Sequence, residues 1–293
     1  MNPEVFEFLS DLVKTESGLV LTPDKSYLLE SRLMPIVRAR GMKEMEDLVA
    51  AAKSKTDKAL INEITEAMTT NESFFFRDTR PFDTFRDASL PFLLDARKQT
   101  KLIRIWCAAA SSGQEPYSLA MILKEMQAKM AGWRVEIIGT DLSTEILDKA
   151  KNGVYTQFEV QRGLPVQLLV KYFEKKEEHW QIKSEIRDMV KYKPLNLLDP
   201  FTGMGKFDIV FCRNVLIYFD QPTKTKVLEK IHGLMPNDGV LYLGGAESVL
   251  GISDKFRPVP NFRGVYEMAS ENGGVTYAPP AAGAPAAGVK ATA

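Results

Sequence analysis

The residues of this chain best placed to do chemistry sit where apolar runs give way to small or polar turns. Ile103 to Cys107 is a short, partly β-branched apolar run that reads as a buried strand. Ala108-Ala109-Ala110-Ser111-Ser112-Gly113 follows, and Gln114-Glu115-Pro116 opens an apolar-periodic helix. Pro116 suits the first helical turn, where its missing N–H costs little. A strand that feeds a small-residue loop and a helix N-terminus lets a ligand approach the backbone and meet unpaired N–H donors. The next strand, Trp133 to Gly139, ends in Thr140-Asp141. An acidic residue at the end of a second strand is where α/β folds accept ribose hydroxyls. Together these features predict a nucleoside-binding βαβ unit; the competing reading is an ordinary βα turn. The segment holds one glycine and no GxGxxG, so the dinucleotide fingerprint is absent. Phe207 to Phe211 is a further buried strand, and Cys212-Arg213-Asn214 puts polar groups at its carboxyl end, where open sheets keep their chemistry.

These strands must be held by the rest of a 293-residue chain, long enough for two units. Residues 2 to about 70 read as short helices. Asn2-Pro3-Glu4 caps the first and Gly18 stops it, and Thr22-Pro23-Asp24 opens a second, in which Pro35 predicts a kink or a break. Glu44–Lys53 and Asp57–Met68 are two more. Met68 to Pro81 carries three consecutive phenylalanines, which cannot share one face; they either plug an interdomain seam or, with Asn71, Ser73 and Arg77 interleaved, wall a ligand site. Beyond Asp141, a helix spans Ser143–Asn152 with Gly153 as its stop. The rhythm then breaks: Leu168–Phe173, Trp180–Ile182 and Met189–Lys193 read as a helix end and two strands joined by the charged turn Glu174-Lys175-Lys176-Glu177-Glu178. The helix Thr223–Leu234 and the strands Val240–Leu243 and Gly264–Met268 complete the pattern. Residues 270–293 are Ala, Pro and Gly with almost no charge and read as a disordered tail.

Lys plus Arg and Asp plus Glu both number 38, so the chain lacks the positive field that non-specific nucleic-acid binding needs. No apolar run approaches a membrane span, and the N-terminus has no signal-peptide pattern. Cys107 and Cys212 sit in apolar strands without zinc or disulfide spacing, so no metal is expected. The composition reads as cytoplasmic. Residues 31–43 hold Arg32, Arg38, Arg40 and Lys43 with no acidic residue, which is either a solvated face or a surface for an acidic partner.

In this order the motifs TTNESFFFR (69–77), AAASSGQEPYSLA (108–120), TDLSTEILDKA (140–150), NLL (196–198) and FCRNVLIYF (211–219) resemble the chemoreceptor glutamate methyltransferases, the CheR family of class I S-adenosylmethionine-dependent enzymes. The resemblance spans about residues 5–268. It implies an α/β fold: an all-helical N-terminal domain (1–75) that docks on the receptor, then a Rossmann-like methyltransferase domain (76–269) with an antiparallel β-subdomain inserted at about 168–194. It implies that Asn71, Ser73, Arg77, Glu115, Asp141, Asn196, Leu197, Arg213 and Asn214 line the S-adenosylmethionine site. Asp141 would take the ribose hydroxyls, Glu115 the cationic methionine end, and Asn196 and Leu197 the adenine. Arg77 would hold a carboxylate, the cofactor's or the acceptor's, and Tyr218 would orient the acceptor. The implied reaction is methyl transfer to glutamate side chains on cytoplasmic receptor helices by a monomeric enzyme, with S-adenosylhomocysteine as coproduct.

A carboxylate is ionised at neutral pH and needs no general base, which suits a chain with two histidines, His179 and His232, outside every motif. A small-molecule O- or N-methyltransferase and a non-catalytic S-adenosylmethionine-binding scaffold are the alternatives. Amino-directed DNA methylation is disfavoured because Arg213-Asn214-Val215-Leu216 lacks that class's Pro-Pro-aromatic sequence. Some family members grip a receptor's C-terminal pentapeptide with a glycine-bearing loop of the β-subdomain. The charged, glycine-free turn here predicts independence from that tether.

Overall fold

The computed structural model describes residues 1–269; the Ala/Pro/Gly tail expected at 270–293 lies outside them. Four helices come first: α1 (Pro3–Ser17), α2 (Ser26–Ala39), α3 (Met45–Lys53) and α4 (Lys58–Met68). Their ends are where local chemistry puts them. The Asn2 side chain accepts from Glu4 N–H, left-handed Gly18 closes α1, and the Asp57 carboxylate caps α4 at Leu60 N–H. Leu9, Leu29, Leu33, Leu48, Leu60 and Ile64 are fully buried in a core of their own. Pro35 does not break α2, which runs on to Ala39. The carbonyl that loses its amide partner belongs to Ser31, which is exposed and open to water.

Among the described residues, ten strands form two sheets: β1 (Leu102–Ala108), β2 (Arg134–Asp141), β3 (Val154–Thr156), β4 (Phe173–Lys176), β5 (His179–Ile182), β6 (Val190–Pro194), β7 (Ile209–Cys212), β8 (Val240–Leu243), β9 (Phe256–Pro258) and β10 (Val265–Met268). The large sheet runs β6-β2-β1-β7-β8-β10-β9, parallel from β6 to β8, with β10 and β9 antiparallel at one edge. Its central strands are buried on both faces, as a parallel sheet sandwiched by helices requires. The order reverses beside β1, and ligands bind in open sheets at such a switch point, outside the carboxyl ends of the strands.

The small sheet, order β3-β5-β4, is antiparallel. Its make-up corrects the expected 168–194 subdomain in two ways. Val154–Thr156 belongs to it, and Val190–Pro194 does not: β6 pairs in parallel with β2 from Ile137↔Val190 to Asp141↔Pro194. Residues between β2 and β6, small sheet included, therefore form the crossover of a parallel pair. Strand period alone does not reveal which neighbour a strand will take, so β6 reads in the sequence as a strand of the insertion. Glu174 to Lys176 lie within β4, leaving Glu177-Glu178 as a two-residue turn between Lys176 and its partner His179. Residues 80–96, which lead the chain into β1, are helical but relax into a π-turn at Phe85–Ser89.

Candidate active site

One cleft opens at the switch point, and every cofactor and catalytic residue named from the sequence lines it: Asn71, Ser73, Arg77, Glu115, Asp141, Asn196, Leu197, Arg213, Asn214 and Tyr218. They arrive from the segment before β1 and from the loops that follow β1, β2, β6 and β7. Arg32, Arg38 and Arg40, expected to dock on the receptor, are not among the lining residues.

The loop after β1 carries a single glycine, Gly113, where several are usual for so close a ligand approach. Ala109, Ser111 and Gly113 all take left-handed backbone, with φ of 61°, 50° and 92°. Small side chains accept this at positions spaced by two, although each non-glycine residue stores strain of about 1–3 kcal/mol. The Ser111 N–H turns to Asp141 and donates to Oδ2 at 2.8 Å, and the Ser143 N–H donates to Oδ1 at 3.1 Å. Burial pushes the Asp141 carboxyl up from its ordinary value, and these backbone donors pull against that. Asp141 is thus a desolvated acceptor with lone pairs left to offer.

Arg213 carries the opposite charge into the same floor. Its side chain is 1% exposed; Nη1 donates to Glu115 at 2.8 Å, and Nη2 to Asp78 at 2.7 Å and to the Arg77 carbonyl at 2.9 Å. Its buried Nε has no protein partner. Burial raises the Glu115 carboxyl, and the neighbouring Arg213 guanidinium opposes the rise. Glu115, expected to meet a cationic ligand, is therefore already held by an arginine. Asn196 is also engaged: its amide donates to the Glu16 carbonyl at 2.6 Å and its Oδ1 accepts from Leu198 N–H at 2.9 Å.

The three phenylalanines divide their work. Phe75 is fully buried against Tyr155 and Phe173, at centroid distances of 5.0 and 5.6 Å, and pins the segment to the small sheet. Phe76 packs on Phe82. Phe74 stacks under the Arg77 and Arg162 guanidinium groups. With Phe75 fixed, Asn71 accepts from Ser111 Oγ through its carbonyl, and Arg77 bonds back to the Glu72 carbonyl at 2.9 Å.

Three contributions escaped the sequence reading. Ser17 and Leu19 line the cleft, so the helical unit is a wall of the site as well as a neighbour to it. It is tied there by the Val20 N–H donating to the Tyr218 carbonyl at 2.9 Å. The Glu66 carboxylate also accepts from Ser143 Oγ and from the Thr144 N–H and hydroxyl. The third is Glu247, a buried carboxylate beneath the Asn214 turn. An acidic residue just past the Gly244-Gly245 pair was its only trace in the sequence.

Arg32 and Arg40 differ from the expected docking surface. Arg32 donates to the carbonyls of Met68 and Thr69, fastening α2 to the end of α4. Arg40 pairs with Asp57 at 2.7 Å and Glu63 at 2.9 Å. Both are held within the helical unit because its acidic and carbonyl groups lie within reach, and Arg38 is exposed.

Residues 71–265 match the family model for the CheR methyltransferase, SAM binding domain, and residues 4–69 match that for the CheR methyltransferase, all-alpha domain. Chemotaxis protein methyltransferase 1 of Pseudomonas aeruginosa is 40% identical over 269 residues, covering 90% of this chain and 97% of that protein. Chemotaxis protein methyltransferase Cher2 of Pseudomonas putida is 37% identical with the same coverage. The Escherichia coli chemotaxis protein methyltransferase is 33% identical over 86% of each chain. The cleft's donor set suits the cofactor these domains bind, with a desolvated carboxylate, guanidinium groups and the apolar side chains of Leu142, Leu195 and Leu197. A helical unit walling an S-adenosylmethionine cleft at the switch point of a mostly parallel sheet, matched along both parts, places this chain in the CheR methyltransferase family.

Proposed function

We propose that the chain methylates glutamate side chains on the cytoplasmic helices of chemoreceptors, giving γ-methyl esters. The observation that carries this reading is the make-up of the cleft: cationic Arg77 and the Tyr218 hydroxyl are present, no His, Lys or Cys is among the lining residues, and the lining carboxylates Glu72, Glu115 and Asp141 are each engaged, by Arg162, by Arg213 and by backbone N–H groups. An amine or alcohol acceptor must lose a proton during methylation, and a general base usually takes it. A carboxylate has none to lose. The names of the relatives, chemotaxis protein methyltransferases, support the same substrate class.

Asp141 is the ribose acceptor in this reading, and Leu197, with the backbone at Asn196, flanks the adenine. Arg77, Asn71 and Ser73 face the amino-acid end, beside the Glu115–Arg213 pair. Bound there, S-adenosylmethionine supplies an electrophilic methyl on a sulfonium. Tyr218 orients the acceptor carboxylate, so that catalysis rests on proximity and alignment. The enzyme acts in the cytoplasm as a monomer; no described helix is long and apolar enough to cross a membrane. The two-residue Glu177-Glu178 turn leaves β4 and β5 tightly closed, which supports independence from a C-terminal receptor tether.

Incubation with methyl-labelled S-adenosylmethionine and receptor cytoplasmic fragments, followed by alkali, tests the reaction. Ester product releases volatile labelled methanol; label that stays on protein identifies N-methylation and overturns the reading. Fragments with and without their C-terminal pentapeptide should be methylated equally.

A further inference from the structure

Glu247 has no contact with the cleft and yet organises one of its walls. Its carboxylate accepts four backbone N–H groups: Oε2 from Asn214 at 2.7 Å and Gly244 at 2.6 Å, and Oε1 from Val215 at 2.9 Å and Ile217 at 3.3 Å. Three of the four belong to the turn after β7, which carries Arg213, Asn214 and Tyr218. That turn has no regular ladder to satisfy its amides, and Asn214 sits in left-handed backbone at φ 58°. Hydrogen bonds to an ionised acceptor are about twice as strong as neutral ones, and in a buried site an unpaired N–H is costly. The surroundings are shaped for this carboxylate: a Cβ on Gly244 would stand 2.7 Å from both Glu247 Oε2 and Asn214 Nδ2.

We infer that Glu247 is a positioning residue for methyl transfer: by gathering these four amides it fixes the turn that presents Tyr218 and the Arg213-Asn214 pair to the reacting groups. The inference rests in part on the orienting role proposed for Tyr218, and the test separates the two. Glu247→Gln replaces one acceptor oxygen with an N–H₂ that opposes backbone donors. Gly244→Ala displaces the carboxylate from the other side without changing its charge.

Turnover, the KM for receptor fragment and the melting temperature are measured on each variant. Misplacing a reacting group by about 1 Å can cost on the order of 100-fold. A kcat lowered by about 10- to 100-fold in both variants, with receptor KM near wild type and a loss larger than the unfolded fraction at the assay temperature accounts for, is the expected result. Wild-type kcat in both, or a loss that only tracks the unfolded fraction, overturns the inference. Combining each variant with Tyr218→Phe completes the test. Non-additive losses show that Glu247 acts through Tyr218. Additive losses assign its effect to Arg213 and Asn214 and overturn its action through Tyr218; wild-type turnover in Tyr218→Phe alone would overturn the orienting role of Tyr218 while the positioning role of Glu247 stands.

Discussion

Two sets of ion pairs in this molecule use the same chemistry in opposite settings. On the helical unit, Arg40 joins Asp57 and Glu63 at the surface, and both carboxyls lie below their ordinary values, Asp57 first through the Leu60 N–H and then Arg40, Glu63 first through Arg40. In the cleft, Arg213 joins Glu115 and Asp78 with its own side chain 1% exposed, and the Glu115 carboxyl is raised despite its partner. Water decides the difference. At the surface an attracted charge remains solvated, so pairing favours ionisation. In the cleft floor, loss of solvent outweighs the attraction. The first arrangement tidies a surface; the second stores a charged site that a ligand can complete.

The largest effect should come from breaking the buried set. Arg213→Ala leaves Glu115 uncompensated and should cost about 3–5 kcal/mol of stability, measured by urea unfolding. Adding Glu115→Gln should recover part of that loss, because the stranded charge disappears. A double variant no more stable than Arg213→Ala would mean that Glu115 is not what the arginine neutralises.

Next in size is the cofactor. Asp141→Ala should weaken S-adenosylmethionine binding by about 1.5–3 kcal/mol by calorimetry, the range for a hydrogen bond to a charged group. Unchanged affinity would remove Asp141 from the ribose assignment. Tyr218→Phe should lower turnover about ten-fold and leave cofactor affinity alone, the mark of an interaction made mainly in the transition state. Equal turnover would make Tyr218 a packing aromatic of the cluster that holds Phe219.

The comparison also predicts opposite responses to pH. Asp141 and Glu115 are raised, so between the ordinary carboxylate range and their raised values the folded state binds more protons than the unfolded one. Their contribution to stability therefore falls as pH rises through that window. Asp57 and Glu63 are lowered, so their contribution is present above the ordinary range and is lost as pH falls below it. In melting profiles against pH, Asp141→Asn should remove part of the first slope and Asp57→Asn part of the second. The same sign for both would contradict the assignment of burial as the cause in the cleft.

The smallest effects belong to the helical surface. Arg38→Glu should raise the KM for receptor fragment, more at low salt than at high, and leave cofactor binding unchanged. Arg40→Glu should instead lower the melting temperature slightly, since it meets Asp57 and Glu63. If the two variants behave alike, Arg40 serves the receptor after all.

Features built within a few residues were determined by the sequence itself. The caps at Asn2, Asp57 and Ser143 and the stops at Gly18 and Gly153 fall where composition put them, because each is a bond between near neighbours. Asp141, Arg213 and Asn214 were legible for a related reason: polar groups at the carboxyl ends of apolar strands converge once those strands lie in one parallel sheet, whereas Asn196 and Leu197 were carried by the family resemblance. Tertiary structure alone decided which partners came from afar. It put β6 beside β2, Glu66 on the helix after β2, Arg40 on Asp57 and Glu63, and Glu247 under the Asn214 turn. Charge and period mark a side chain as needing a partner or a face, but packing of distant segments chooses which one it gets.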